Sequence, residues 1–297
     1  MASTKRSLWR QVIYSPDEDR PRAGWRLFVQ FLLLLACMLV VALPLSILPL
    51  GGFWSNFILQ LFTALGVTLS VWLARRQLDH RAFLDLGIRP NRRTALDLLV
   101  GFLIMGAAIG LIYWLETGLG WVRFEGFTWG AQTGQSAVSI LLQVVPGTLA
   151  FFLLTAWDEE LLFRGYQLQN LAEGLNLGWG VLISSVIFAV FHLANPNPSA
   201  FALIGLVAAG VFFAFAYLRT RRLWLPIGLH LGWNFFEGPV FGFPVSGLQF
   251  PTLLRQAEAG PDWLTGGLFG PEAGLVLLPA LLLAAALVWL YTRSRSG

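Results

Sequence analysis

Apolar segments of about 20 residues, each long enough to cross a hydrocarbon layer, recur along this chain. They fall near 27–49, 53–74, 95–117, 137–157, 177–194, 200–219, 223–241 and 273–291. In lipid only α-helices and closed barrels satisfy their own backbone groups, and runs of this length have the helical dimension. Charged residues make up 12% of the chain, about half the share typical of a soluble domain, and mean hydropathy is +0.67. The expected fold is an all-α, polytopic membrane helix bundle with about eight transmembrane helices. A polar tail over 1–24, carrying Arg20, Arg22 and the acidic run Asp17-Glu18-Asp19, is expected as a mobile or interfacial arm. Residues 25–297 then form a single transmembrane domain.

Arginine placement sets the expected orientation. Lys5, Arg6, Arg10, Arg20, Arg22 and Arg26 precede the first span, and Arg75, Arg76, Arg81, Arg89, Arg92 and Arg93 follow the second. Arg219, Arg221 and Arg222 close the sixth span, and Arg293 and Arg295 close the eighth. An even span count puts all of these on one side and leaves only Arg123 and Arg255 opposite, so both termini are expected to be cytoplasmic. Topogenic charge accounts for the pI of 9.7, and no nucleic-acid-binding platform accompanies it. The Arg-rich, Lys-poor composition suits a bacterial cytoplasmic membrane. Cys37 is the single cysteine, which excludes an intrachain disulfide and a thiolate metal site. No internal repeat is visible, and nothing in the pattern bears on oligomeric state. The aromatics of two long outer segments, 118–136 and 243–272, are expected to serve as interfacial anchors.

Against this apolar background stands Glu159-Glu160-Leu161-Leu162-Phe163-Arg164. Ionised groups at membrane depth cost several kcal/mol and persist when paired or employed. Glu160 and Arg164 are four residues apart on a helix and are expected to form a buried ion pair. Glu159 is turned about 100° away and has no such partner. Low polarity and a second carboxylate are the setting in which a Glu serves as a general base near neutral pH. His192 and His230 also fall in apolar segments, with Phe188 four residues before the first and Asn234 four after the second. Rise per residue puts Glu159 about 18 Å, His192 about 22 Å and His230 about 10 Å from one surface, with Asn234 about 6 Å deeper than His230. The four side chains thus share the middle levels of the bilayer, provided the fourth helix enters the membrane near Pro146-Gly147, with the earlier residues kinked or interfacial. Glu237 lies about 20° from the His230 azimuth, which would let it enter the site, but it is expected as an outer-interface carboxylate.

Glu-Glu-x-x-x-Arg, Phe-x-x-x-His and His-x-x-x-Asn, one per helix in this order, resemble the CPBP family of intramembrane peptidases. That family includes the type 2 CAAX prenyl endopeptidases and the bacteriocin self-immunity proteins. The likeness spans about 137–240. It implies an intramembrane protease that hydrolyses a peptide bond in a membrane-tethered protein or peptide, as in CAAX processing. Under a metal-free scheme Glu159 and His192 activate water, His230 and Asn234 stabilise the oxyanion, and Glu160, Arg164 and Phe188 support them. A rival scheme places Zn2+ on Glu159, His192 and His230, with water in the open position. The chain has no His-Glu-x-x-His helix, and the metal-independent scheme is favoured. Two other classes compete: a non-catalytic immunity or scaffold protein, and a proton-coupled transporter. The intact polar set argues against the first, and the absence of paired broken helices against the second.

Overall fold

The structure, a computed structural model, describes residues 12–15, 18–45, 52–129, 134 and 136–295. Lys5, Arg6, Arg10, Asp17 and much of the expected tail lie outside them. The described helices are α1 (Ala23–Leu45), α2 (Gly52–Gln77), α3 (Thr94–Gly118), α4 (Ala137–Glu160), α5 (Leu168–Gly174), α6 (Leu177–Phe191), α7 (Ala200–Thr220) and α8 (Trp224–Phe235). A short α9 (Asp262–Thr265) and α10 (Leu277–Thr292) complete the series. The protein is an integral membrane protein built as a helical bundle.

Among the described residues, six helical runs are long and apolar enough to cross a membrane: α1, α2, α3, the continuous 137–174 run, the run from Leu177 to Ala194, and α7. The other two expected spans are shorter. α8 has 12 residues, about 18 Å of rise, and from Leu225 onward every residue is buried. The helical path continues through a π-turn, Phe236–Val240. A helix buried on all sides is a core element, and hydropathy alone does not separate it from a lipid-facing one. α10 has 16 residues.

Lipid-facing and packed positions are sorted by size. In α10, Ala280, Ala284 and Val288 are fully buried at four-residue steps, while Leu278 and Leu282 face outward. Small residues at helix contacts let backbones approach closely, the main source of helix association in lipid. The tightest case joins α3 to α8. A Cβ at Gly228 would stand 2.3 Å from the carbonyl oxygen of Leu98, and one at Gly232 2.5 Å from that of Phe102. Because the obstacle is backbone, G228V is expected to force the two helices apart and destabilise the protein by about 3 kcal/mol, measured as lower resistance to thermal unfolding in detergent.

The basic segments gather at one end of the bundle. Asp79, fully buried, accepts from Arg26 Nη1 (3.0 Å) and Arg75 Nη1 (2.8 Å), and Arg26 Nη2 continues to Glu173 (3.0 Å). Arg20, expected on a mobile or interfacial arm, is instead buried and pairs with Glu173 at 3.1 Å. The charge of Glu173 at the end of α5 draws this part of the tail onto the bundle. Arg222 Nη2 donates to the carbonyl of Arg89 (2.6 Å), and Arg219 Nε to Thr292 Oγ1 (2.9 Å), so the other Arg-rich segments meet at this end too.

At the opposite end the two outer segments are joined. β1 (Val122–Phe127) pairs antiparallel with β2 (Leu254–Glu258), in a register that sets Val122 against Glu258 and Phe127 against Leu254. The chain between Phe243 and Ala273 then folds back into the bundle, so it is wall as well as anchor. Two apolar cores result. One is centred on α4, the turn after it and α6; the other lies among α3, α7, α8 and α10.

Candidate active site

Glu159 and Glu160 end α4, and the helix does not simply continue. It carries Pro146 inside a continuous helical run. Leu161–Gln167 form a π-helix before α5 begins. Widened turns of this kind are frequent at functional sites because they re-aim side chains. Arg164 sits inside this turn and still reaches back, its Nη1 donating to Glu160 Oε1 at 2.8 Å. The expected ion pair is present, with both side chains essentially inaccessible.

Other helices complete the pair. His230, on α8, places Nδ1 2.9 Å from the same Glu160 oxygen. The guanidinium of Arg164 lies over the rings of Phe188 (4.5 Å) and Phe213 (5.0 Å), and Arg164 Nη2 donates to the Gly210 carbonyl at 3.3 Å. Phe213 also stacks on His230, with centroids 4.9 Å apart and planes at 15°. Charge, cation–π contact and stacking together hold one imidazole ring in one orientation.

The second histidine is held by its own chain. His192 follows α6 and places Nδ1 2.9 Å from the Phe188 carbonyl. Phe188 therefore supports twice, through its carbonyl and through its ring, whose centroid is 4.7 Å from that of His192. With a carbonyl oxygen and a paired carboxylate facing them, both Nδ1 atoms carry hydrogen, and both Nε2 atoms turn inward. They converge on Glu159: its Oε2 stands 4.0 Å from His192 Nε2 and 3.7 Å from His230 Nε2. That oxygen is buried and makes no hydrogen bond.

These groups line a cavity of about 70 Å³ together with Asn234, Asn195, Phe213, Ser246 and Glu272. Such a space exceeds what one water needs. All four motif residues, Glu159, His192, His230 and Asn234, meet there, while Glu160, Arg164 and Phe188 form its supporting layer. The residues that sequence reading missed are Phe213, Asn195, Ser246 and Glu272. Asn195 Nδ2 donates to the Ser246 carbonyl (3.0 Å), pinning the returning loop over the site. Glu237, expected at the outer interface, is fully buried instead. The π-turn after α8 keeps it inside, and the loop from 243 closes over it.

A second cavity, of about 410 Å³, shares Thr155, Glu159, His192, Asn195 and Leu248 with the first. It runs among α1, α2, α4 and α6, and Phe31 and Leu35 at its edge are exposed on the lipid-facing side of α1. Asp158 reaches this cavity, where its Oδ2 accepts from Gln60 Nε2 at 3.1 Å.

Zinc held by Glu159, His192 and His230 would need these side chains closer together than they stand. Ligands on tetrahedral zinc stand ~3.4 Å from one another, given metal–ligand lengths near 2.0–2.2 Å. The Glu159 oxygen is farther than that from both imidazoles. Among the described residues no group of three His, Cys, Asp or Glu side chains is close enough to hold a metal ion.

Residues 141–236 match the family described as type II CAAX prenyl endopeptidase Rce1-like. YdiL of Bacillus subtilis (strain 168), named for an inferred membrane peptidase activity, is 36% identical over 111 residues. That alignment takes in 37% of this chain and 41% of the relative, so the chain spans less than half of the length of the curated relative it matches. No solved structure matches the chain. The motif residues that line the site, from Glu159 to Asn234, all fall within the matched segment, 141–236.

Proposed function

We propose that this protein is an intramembrane endopeptidase that hydrolyses a peptide bond in a membrane-tethered protein or peptide without a metal ion. One observation carries the reading: a buried, unsatisfied Glu159 oxygen faces two inward-turned imidazole nitrogens inside a cavity with room for water. A water between Glu159 and His192 would have an acceptor on each side. Glu159 would take its proton as the oxygen attacks the scissile carbonyl. His230 donates Nδ1–H to Glu160, and a doubly protonated ring would also donate Nε2–H toward the cavity. With the amide of Asn234 it would receive the oxyanion. Donors fixed before the reaction, in a place with little water, stabilise such a charge by several kcal/mol. Glu160 and Arg164 position His230 without touching substrate.

The larger cavity supports a substrate that arrives from the lipid. Its walls are mainly apolar, it reaches the lipid-facing side of α1, and it joins the catalytic cavity at Glu159 and His192. The apolar part of a tethered substrate would lie there while the scissile bond reaches the glutamate. The collection of arginines at the far end supports cytoplasmic termini.

Purified protein in lipid should cleave members of a labelled peptide library carrying an apolar anchor. Cleavage should persist at the same rate in a strong zinc chelator. Activity that disappears in chelator and returns with added zinc would overturn the metal-free scheme; no cleavage of any anchored peptide would overturn the function.

A further inference from the structure

Glu272 lies far outside the matched segment, in the loop that returns from the outer end, yet it lines the same cavity as Glu159, His192, His230 and Asn234. Its placement is built into the backbone on both sides. A Cβ at Gly205 of α7 would stand 1.8 Å from the Glu272 carbonyl oxygen, so only glycine lets the 271–273 turn seat against that helix. Gly270, just before the turn, has φ +105°, and a Cβ there would meet the Pro244 carbonyl at 2.2 Å. The carboxyl itself accepts from Ser246 Oγ at 2.5 Å and is almost wholly buried.

We infer that Glu272 is a second catalytic carboxyl, the general acid that protonates the leaving amine. The inference rests on the peptidase reading and supplies the step it lacks. Glu159 takes a proton from water as the hydroxyl adds to the carbonyl carbon. When the tetrahedral oxyanion collapses, the carbon–nitrogen bond breaks and its electron pair leaves on nitrogen. That nitrogen takes the proton of the Glu272 carboxyl, giving a free amine, a carboxylic acid and an ionised Glu272. Transfer of the proton held by Glu159 to Glu272, through water in the cavity, restores both. Two carboxyls in unlike surroundings divide acid and base work in this way.

The surroundings suit the role. Burial pushes the Glu272 carboxyl above its ordinary range, opposed by the Ser246 hydroxyl and by the two histidines. The titratable groups facing it are Glu159, His192 and His230 across the cavity and Glu237 behind it. Glu159 stays the base because it sits between the imidazoles, and Glu272 approaches from the loop side.

The test compares one anchored peptide with its thioester analogue, whose thiolate leaves without needing a proton. E272Q preserves size and the Ser246 contact. It should lower kcat on the amide about 100-fold and change thioester hydrolysis by no more than a few-fold. E272D, which keeps an acid one methylene shorter, should recover part of the amide rate. The thioester rate also shows that each variant is folded. An unchanged amide rate in E272Q, or equal losses on both substrates, would overturn the general-acid role while leaving the peptidase reading intact. Wild-type protein inactive on both substrates would overturn the peptidase reading itself and the role with it.

Discussion

E159Q is expected to lower kcat for cleavage of an anchored peptide by about 10³- to 10⁴-fold while leaving the protein folded and inserted. The two halves of this expectation have separate causes. The Glu159 oxygen that faces the imidazoles makes no hydrogen bond, so the isosteric amide removes no contact that holds helices together. Removal of the carboxylate, however, takes away the proton acceptor at the point where both Nε2 atoms converge. Glutamine cannot take up a proton from water, and what remains is the polarising effect of the imidazoles and Asn234. The measurement is single-turnover cleavage in lipid vesicles, with thermal unfolding as the control for folding. Undiminished cleavage would show that Glu159 is not the base.

E160A should instead fail first in stability, by about 3–5 kcal/mol. Glu160 is completely buried, and one of its oxygens serves both Arg164 Nη1 and His230 Nδ1. Its loss leaves the guanidinium of Arg164 in the apolar interior with two aromatic rings and the Gly210 carbonyl, none of which carries a negative charge. Breaking one side of a buried pair is costly because the other charge is stranded; removing both together is much less so. The double variant E160L/R164M should therefore recover most of the lost stability. It should not recover activity, since His230 would still lack the carboxylate that fixes its ring through Nδ1–H and favours the doubly protonated form in which Nε2 donates. Recovery of both would show that the pair only stabilises the fold. A double variant as unstable as E160A would show that the carboxylate acts through something other than charge pairing.

These two glutamates mark the boundary of what was legible without coordinates. The Glu160–Arg164 pair was readable because four residues on a helix define a shared face, and it survives the π-turn that begins one residue later. The motif histidines and Asn234 were readable as depth-matched polar residues in apolar segments. The partner that gives Glu160 its second role, His230, is 70 positions away in sequence, and no periodic pattern links them. Phe213 is one aromatic among many in an apolar helix, and nothing local singles it out as the ring that stacks on His230. Glu272 and Ser246 sit in a Gly- and Pro-rich loop, where side-chain direction has no period at all. Glu237 was expected as an outer-interface carboxylate, and the returning loop, which no local pattern shows, buries it.

The amino-acid order alone determined the membrane class, the approximate helices and which motif residues meet in the cavity. Hydrophobic run length and four-residue spacing are local properties that lipid makes decisive. Tertiary structure alone decided which apolar helix is core and which faces lipid, that the outer loop re-enters the bundle, and which carboxylate stays paired while the other remains open to water. Those outcomes depend on close approaches such as Gly228 to Leu98 and Gly205 to Glu272. Helix and loop backbones meet only after the whole bundle has packed.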